Sequence, residues 1–164
     1  MDDSGPTGTT AAPAVVLDTN VVLDWLLFQE PSVATLRCAL EQQRLRWVTC
    51  TRMREEFDRM LRSPSLLKWN PDSERLLFLF DQHAWPQPDP KAAPSRLRCD
   101  DADDQVFVDL ALASGARWLL SHDKALLRLR RRMPLDGPLI CKPRDWATST
   151  DKASTQKKGR PKPP

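Results

Sequence analysis

Short apolar runs alternate along the chain with longer amphipathic stretches. Continuous apolar runs are typical of strands buried on both faces of a parallel sheet, whereas amphipathic spacing is typical of helices packed on those faces. The predicted strands cover residues 14–17, 47–50, 117–120 and 139–141, and the predicted helices cover residues 31–43, 51–62, 71–83, 101–114 and 124–132. This order predicts an α/β fold, a sandwich of helices around a central, mostly parallel sheet.

The chain of 164 residues is long enough for one domain. We expect a flexible leader over residues 1–13, one folded domain over residues 14–147 and a basic, disordered tail over residues 148–164. Residues 84–98 contain four prolines and cannot form a regular helix. Of the 25 basic and 22 acidic residues, the tail carries five and one. Its charge predicts either salt-sensitive attraction to nucleic acid or a solvated extension without a role.

Several functional classes do not fit this sequence. No apolar run is long enough to span a membrane, and the acidic start does not resemble a signal peptide, so we expect a cytoplasmic protein without a membrane partner. The four cysteines are scattered, which predicts buried, reduced thiols. Neither a nucleophilic Ser/His/Asp set nor a glycine-rich phosphate loop is evident, and His83 and His122 are expected to have surface or packing roles.

Two aspartates follow predicted strands. Asp18 comes directly after the first strand, and Asp123 follows the third strand after Ser121 and His122. Because the carboxyl ends of parallel strands share one sheet edge, both carboxylates should emerge there, where ligands bind in such folds. Each could cap the helix that follows, or the two could share a cation that offsets their desolvation.

A third acidic side chain lies on the helix predicted over residues 51–62. Helical periodicity places Glu56 beside Phe57 and Met60, at the edge of the buried face, and places Glu55 on the solvent side. Glu56 is therefore either a ligand at the sheet edge or a charge that extends from the core boundary into water.

The acidic run D-D-A-D-D opens the fourth predicted helix. Asp101 suits the N-cap position, where a carboxylate accepts backbone N–H bonds. Asp104 shares a helical face with Phe107 and should point inward, whereas Asp103 and Asp109 are expected to be exposed. Repulsion within this run would be relieved by a bound cation. Together with the strand-end aspartates and Glu56, Asp104 would form an all-oxygen site suited to one or two Mg²⁺ or Mn²⁺ ions.

These residues, in this order, resemble the PIN-domain superfamily of metal-dependent nucleases. The resemblance spans roughly residues 15–146 and begins with the strand-end element L-D-T-N. It continues with E-F-D-R-M-L-R-S-P at residues 56–64, D-A-D-D-Q-V-F-V-D-L-A at residues 101–111 and G-A-R-W-L-L-S-H-D-K-A-L-L at residues 115–127. The segment K-P-R-D-W at residues 142–146 resembles the T-P-x-x-F element of a bacterial subgroup described as toxins of toxin–antitoxin pairs.

The resemblance implies a three-layer α/β/α sandwich and an endoribonuclease that leaves a 5′-phosphate. It implies that the catalytic and metal-binding residues are Asp18, Glu56, Asp104 and Asp123, with Asp101 as an additional metal ligand. Thr19, Asn20 and Ser121 would support the carboxylates or contact the phosphate. The basic residues from Lys124 through Arg128 to Arg132 would hold the RNA backbone, or form a solvated helix end.

The expected partners are an RNA substrate, an antitoxin protein that covers the site and a second copy in a homodimer. One alternative is a catalytically degenerate PIN fold that serves as an RNA-binding or scaffold module, although all four acids are retained. Another is a phosphatase of the haloacid-dehalogenase kind. That chemistry requires a second aspartate two positions after the first, where this chain has Asn20.

Overall fold

A parallel sheet forms the centre of the computed structural model, which describes residues 11–156. All the strand pairs in this part of the chain are parallel, and the strand order is β3-β2-β1-β4-β5. The strands are β1 Ala14–Leu17, β2 Arg46–Thr49, β3 Ala84–Pro86, β4 Trp118–Leu120 and β5 Leu139–Cys141. The predicted α/β class and parallel sheet are therefore confirmed.

Helices cover both faces of the sheet. The α-helices are α1 Thr19–Leu26, α2 Ala34–Glu41, α3 Thr51–Leu61, α4 Pro64–Leu67, α5 Ser73–His83, α6 Gln105–Ala113, α7 Lys124–Leu129 and α8 Pro143–Gln156. Short 3₁₀ turns cover Pro31–Val33, Ser95–Leu97, Ala102–Asp104 and Arg130–Arg132. No helix of the described residues has the length and apolar character needed to cross a membrane.

The sheet separates two hydrophobic cores, as a three-layer sandwich requires. Val15 and Leu17 of β1 pack into the core formed with α1, α2, α3, α5 and α8, whereas Val16 packs into the core formed with α6 and α7. All three side chains are fully buried. This alternation explains why β1 is apolar throughout, since each side chain meets a helical layer on one face or the other.

Four elements were missed by the sequence analysis, namely α1, α4, α8 and β3. Helix α1 has only eight residues, fewer than the roughly 11–18 residues over which helical periodicity is counted, and it follows β1 after a single residue. Strand β3 has only three residues, ends in Pro86 and pairs only with β2, which is the edge position where proline is tolerated. The predicted helix at 101–114 begins with a 3₁₀ turn, and Gly115 follows it with a positive φ of 64°.

The C-terminal helix α8 overlaps the segment from residue 148 onward that was predicted to be a disordered tail. Helix α8 continues to Gln156, nine residues into that segment, and its Trp146 is buried against the core. The Ser149 hydroxyl donates to the Trp146 carbonyl at 2.8 Å, which is compatible with a helix. Residues 1–10 of the expected leader and residues 157–164 of the expected tail lie outside the described residues.

Candidate active site

Both strand-end aspartates cap helices at the carboxyl edge of the sheet. Asp18 caps α1, where Val21 N donates to Asp18 Oδ1 at 3.0 Å. Asp123 caps α7, where Ala125 N donates to Asp123 Oδ1 at 2.6 Å. Since β1 and β4 are neighbouring parallel strands, the two carboxylates emerge side by side, as predicted. Capping engages one oxygen of each side chain, and a carboxylate has about four lone-pair sites to offer.

Ser121 connects these two aspartates. Its hydroxyl donates to Asp18 Oδ2 and accepts from the backbone N–H of Asp123 at 2.9 Å. Ser121 is completely buried, and both hydrogen bonds of its hydroxyl are made within this pair of aspartates.

The four predicted acids line one narrow cleft of about 70 Å³. Glu56 enters from α3, Asp104 from the 3₁₀ turn before α6, and Asp18 and Asp123 from the sheet edge. The remaining lining residues are Thr19, Asn20, Met60, Asp103 and Phe107. We call this the carboxylate cleft. The two apolar members follow acids at helical spacing: Met60 lies four residues after Glu56, and Phe107 lies three residues after Asp104. This spacing is visible in the sequence and indicates that they share a helical face with those acids.

Negative charge is crowded in this cleft. Burial, followed by the charges of Asp123, Asp101 and Asp18, raises the pKa of Asp104 to about 7. Burial also raises the pKa of Asp18, against the opposing effect of its hydrogen bond with Ser121. A carboxylate whose pKa is raised in this way is destabilised as an anion, and a nearby cation would reverse the effect.

The outer residues of the acidic run differ in position. Asp101 is not among the residues that line the carboxylate cleft, and its side chain accepts from Asp103 N at 3.0 Å, which caps the 3₁₀ turn. Asp103 is exposed, as predicted, yet it lines the cleft. Asp109 was predicted to be exposed, but it is only 5% exposed and accepts from Ala93 N at 2.8 Å and from Gln105 Nε2 at 2.9 Å. Asp109 therefore anchors the proline-rich segment to α6.

The donor chemistry of the carboxylate cleft fits a hard divalent cation. All its acidic groups offer carboxylate oxygens, which Mg²⁺ and Mn²⁺ prefer. Within residues 11–156, however, no three acidic, histidine or cysteine side chains are arranged so as to hold a metal ion. Glu56 is directed to Arg59 Nη2 at 2.6 Å, while Asp18 and Asp123 are engaged by their helix caps. The set fits in chemistry and charge. Ligation by Glu56 would require its side chain to turn away from Arg59, whereas the helix caps leave lone pairs on Asp18 and Asp123.

A much larger, basic cleft begins beside Asp123. It has a volume of about 630 Å³, and its lining residues are Lys124, Leu127, Arg128, Arg130, Arg131 and Arg132. We call it the basic cleft. Arg128 also lies 3.7 Å from Asp100, an exposed pair that contributes little to stability. The guanidinium groups suit a polyanion such as a nucleic-acid backbone.

The remaining candidate residues lie outside both clefts. His122 Nε2 lies 3.0 Å from Asp24 Oδ2 on α1, and the His83 ring packs 5.1 Å from the Trp25 ring. Three cysteines are buried as predicted, whereas Cys38 is exposed. Asp24, as the partner of His122, was not foreseen, because a contact across 98 residues leaves no local pattern in the sequence.

The chain matches known proteins in two comparisons, one of sequence family and one of fold. Residues 14–125 match the family model described as PIN domain. The fold is similar to one chain in the crystal structure of VapBC2 from Rickettsia felis bound to a DNA fragment from their promoter. That similarity has a TM-score of 0.52 at 12% identity and covers 79% of this chain and 97% of the other. No curated protein sequence matches the chain.

Proposed function

Because the chain belongs to the PIN domain family, whose members are generally nucleases, we propose that it is a divalent-metal-dependent endoribonuclease. The observation that supports this proposal is the convergence of four acidic side chains, from four separate elements, on the carboxylate cleft. Structural needs alone would not bring four carboxylates together, because each raises the cost of ionising the others.

Asp18, Glu56, Asp104 and Asp123 would hold Mg²⁺ or Mn²⁺, with Asp101 close enough to add its charge. The bound ion would activate water and neutralise charge that develops on the phosphodiester. Asp104 must be ionised to act as a ligand. The negative charges around it oppose that ionisation in metal-free protein, and a bound cation would offset them.

Substrate binding is assigned to residues at the mouth of the carboxylate cleft and in the basic cleft. Asn20 is exposed and would contact the phosphate, whereas Thr19 is buried in the cleft lining and would support the carboxylates. Lys124 and Arg128 would hold the RNA backbone next to Asp123. In this arrangement the basic cleft would bind the neighbouring RNA backbone, and the carboxylate cleft would hold the phosphodiester that is cleaved.

Cleavage of labelled single-stranded RNA tests this proposal. The protein is incubated in EDTA, Mg²⁺ or Mn²⁺, together with the variants Asp18→Asn and Asp104→Asn. Asp58→Asn is a matched control, because Asp58 lies on α3 and pairs with Arg62 outside the carboxylate cleft. We expect metal-dependent cleavage that the first two variants lose and the control keeps. Cleavage that survives both substitutions would show that the assigned site is wrong.

We further propose a role as the toxin of a toxin–antitoxin pair, with an antitoxin that covers the carboxylate cleft. This extension is supported by the fold shared with a chain of the VapBC2 complex. Induced expression in a bacterial host should arrest growth, and Asp18→Asn should relieve the arrest. Normal growth with an active, folded wild-type enzyme would contradict the toxin role. The predicted homodimer is tested separately by light scattering.

A second candidate is a catalytically degenerate PIN module that binds RNA without cleaving it. It is favoured by the Glu56–Arg59 ion pair and by the lack of a preformed metal arrangement within residues 11–156. Retained RNA binding, with no cleavage of any RNA in Mg²⁺ or Mn²⁺, would favour this module over the nuclease.

A further inference from the structure

The loop between β4 and α7 contacts helix α1 at two separate points. At the first, Ser121 donates to Asp18, the residue that caps α1. At the second, His122 Nε2 lies 3.0 Å from Asp24 Oδ2, across 98 residues of sequence. Asp24 lies six residues beyond Asp18, roughly 9 Å further along the helix at about 1.5 Å per residue. The two contacts therefore attach the loop along the length of α1.

Attachment of this loop bears on the geometry of the carboxylate cleft. Asp123 immediately follows His122 in the loop, and Asp18 is the residue at the start of α1 to which Ser121 of the loop donates. Any rotation of the loop about the Ser121 contact would change the separation of these two carboxylates. Backbone hydrogen bonds also hold the loop, since Ser121 N donates to Cys141 O at 3.1 Å. The His122 contact adds the attachment that lies furthest from Asp18 along α1, where it resists rotation most effectively.

The alternative is an ordinary surface ion pair, whose contribution to stability is about 0–1 kcal/mol. The His122 and Asp24 side chains are 39% and 22% exposed, so the pair is partly shielded from water. His122 does not line the carboxylate cleft, which means that it would act through the loop and not on the substrate. Stability alone cannot separate the two roles, whereas loop motion and metal affinity can.

We propose that His122 and Asp24 form a positioning pair that fixes the loop 121–123 on α1 and thereby sets the separation of Asp18 and Asp123. The inference rests on the proposed function of the carboxylate cleft as a metal centre. His122 acts as a positioning residue, through the hydrogen bond of its Nε2 atom.

Substitutions at position 122 can distinguish the atom responsible. The amide nitrogen of Gln reaches approximately as far as imidazole Nε2, whereas that of Asn reaches only as far as Nδ1. His122→Gln should therefore keep the contact with Asp24, and His122→Asn should lose it. His83→Gln is the matched control, since His83 packs on Trp25 of the same helix and does not line the carboxylate cleft.

Two measurements at one fixed pH test the pair. The first is amide hydrogen exchange of Asp123 in metal-free protein, because its N–H is bonded to Ser121 Oγ and reports loop opening. The second is the affinity for Mn²⁺ alone. His122→Asn and Asp24→Asn should each accelerate that exchange and weaken Mn²⁺ binding roughly tenfold, the lower end of the loss expected for groups that orient ligands. His122→Gln and the control should stay within about twofold of wild type.

Unchanged exchange at Asp123 in both disruptive variants would overturn the positioning pair, whether or not the protein binds metal. Equal effects of His122→Asn and His122→Gln would also overturn it, since the role is assigned to Nε2. A wild type that binds no Mn²⁺, yet shows faster exchange in the disruptive variants, would keep the loop contact and refute the metal centre instead. Failure of this inference is thus distinguishable from failure of the proposed function.

Discussion

The two clefts begin at adjacent residues, Asp123 and Lys124, and differ in almost every physical property. The carboxylate cleft is narrow, about 70 Å³, and its acids come from four separate elements. The basic cleft is about 630 Å³, and its cations come from one short stretch of chain. Distant residues must be brought together by the fold, whereas a local cluster of cations needs only one helix. The smaller cleft is therefore the more specific indicator of chemistry.

The largest expected effect on RNA binding lies in the basic cleft and separates binding from chemistry. Substituting Lys124 and Arg128 together by Ala should raise the Kd for single-stranded RNA roughly tenfold, and each lost phosphate contact should reduce the salt slope by about 0.7. Cleavage at saturating RNA should remain within about twofold of wild type. Arg62→Ala is the control, because Arg62 pairs with Asp58 outside both clefts. A loss of cleavage at saturation, with an unchanged Kd, would contradict this division of roles.

The second prediction concerns an acid that lies outside the carboxylate cleft. Asp109→Ala leaves the Ala93 N–H and the Gln105 side-chain amide without their shared acceptor, so it should lower the free energy of unfolding by about 1–3 kcal/mol. RNA cleavage per folded molecule should not change. Denaturant unfolding and cleavage assays on the same preparation measure the two quantities. An Asp109→Ala protein of wild-type stability that cleaves poorly would assign Asp109 to the site.

These contrasts show what the sequence could and could not predict. Strand-end positions indicated Asp18 and Asp123, and helical periodicity indicated Glu56 and Asp104, because all four follow from local pattern. Asp109 was wrongly predicted to be exposed, since its burial depends on the proline-rich segment that crosses α6.

The missed elements have the same cause. Helix α1 is too short for its periodicity to be counted, and β3 is defined by its pairing with β2 rather than by its three residues. The Glu56–Arg59 ion pair is different, because its i,i+3 spacing on α3 is present in the sequence, although the sequence analysis did not use it.

The smallest expected effect is the electrostatic cost of the carboxylate cleft. The pKa of Asp104 is about 7 in the folded protein against an ordinary value of 3.8, so the native state binds a proton more readily than the unfolded chain between these values. The free energy of unfolding should therefore fall as pH rises from about 4 to 7. Metal-free protein should have a lower Tm at pH 8 than at pH 5.5, and Asp104→Asn should raise the Tm at pH 8 by about 2–4 °C. If the dependence of Tm on pH were unchanged in Asp104→Asn, that dependence would come from groups other than Asp104.

The most direct test of the central claim uses two adjacent glutamates on α3. Glu56 lines the carboxylate cleft, whereas Glu55 is exposed and does not. Mn²⁺-dependent RNA cleavage should fall at least about a hundredfold in Glu56→Gln, because metal-ligand loss removes transition-state stabilisation, and should stay within about twofold in Glu55→Gln. Equal activity of the two variants, or a loss confined to Glu55→Gln, would contradict the assignment of the carboxylate cleft as the catalytic centre.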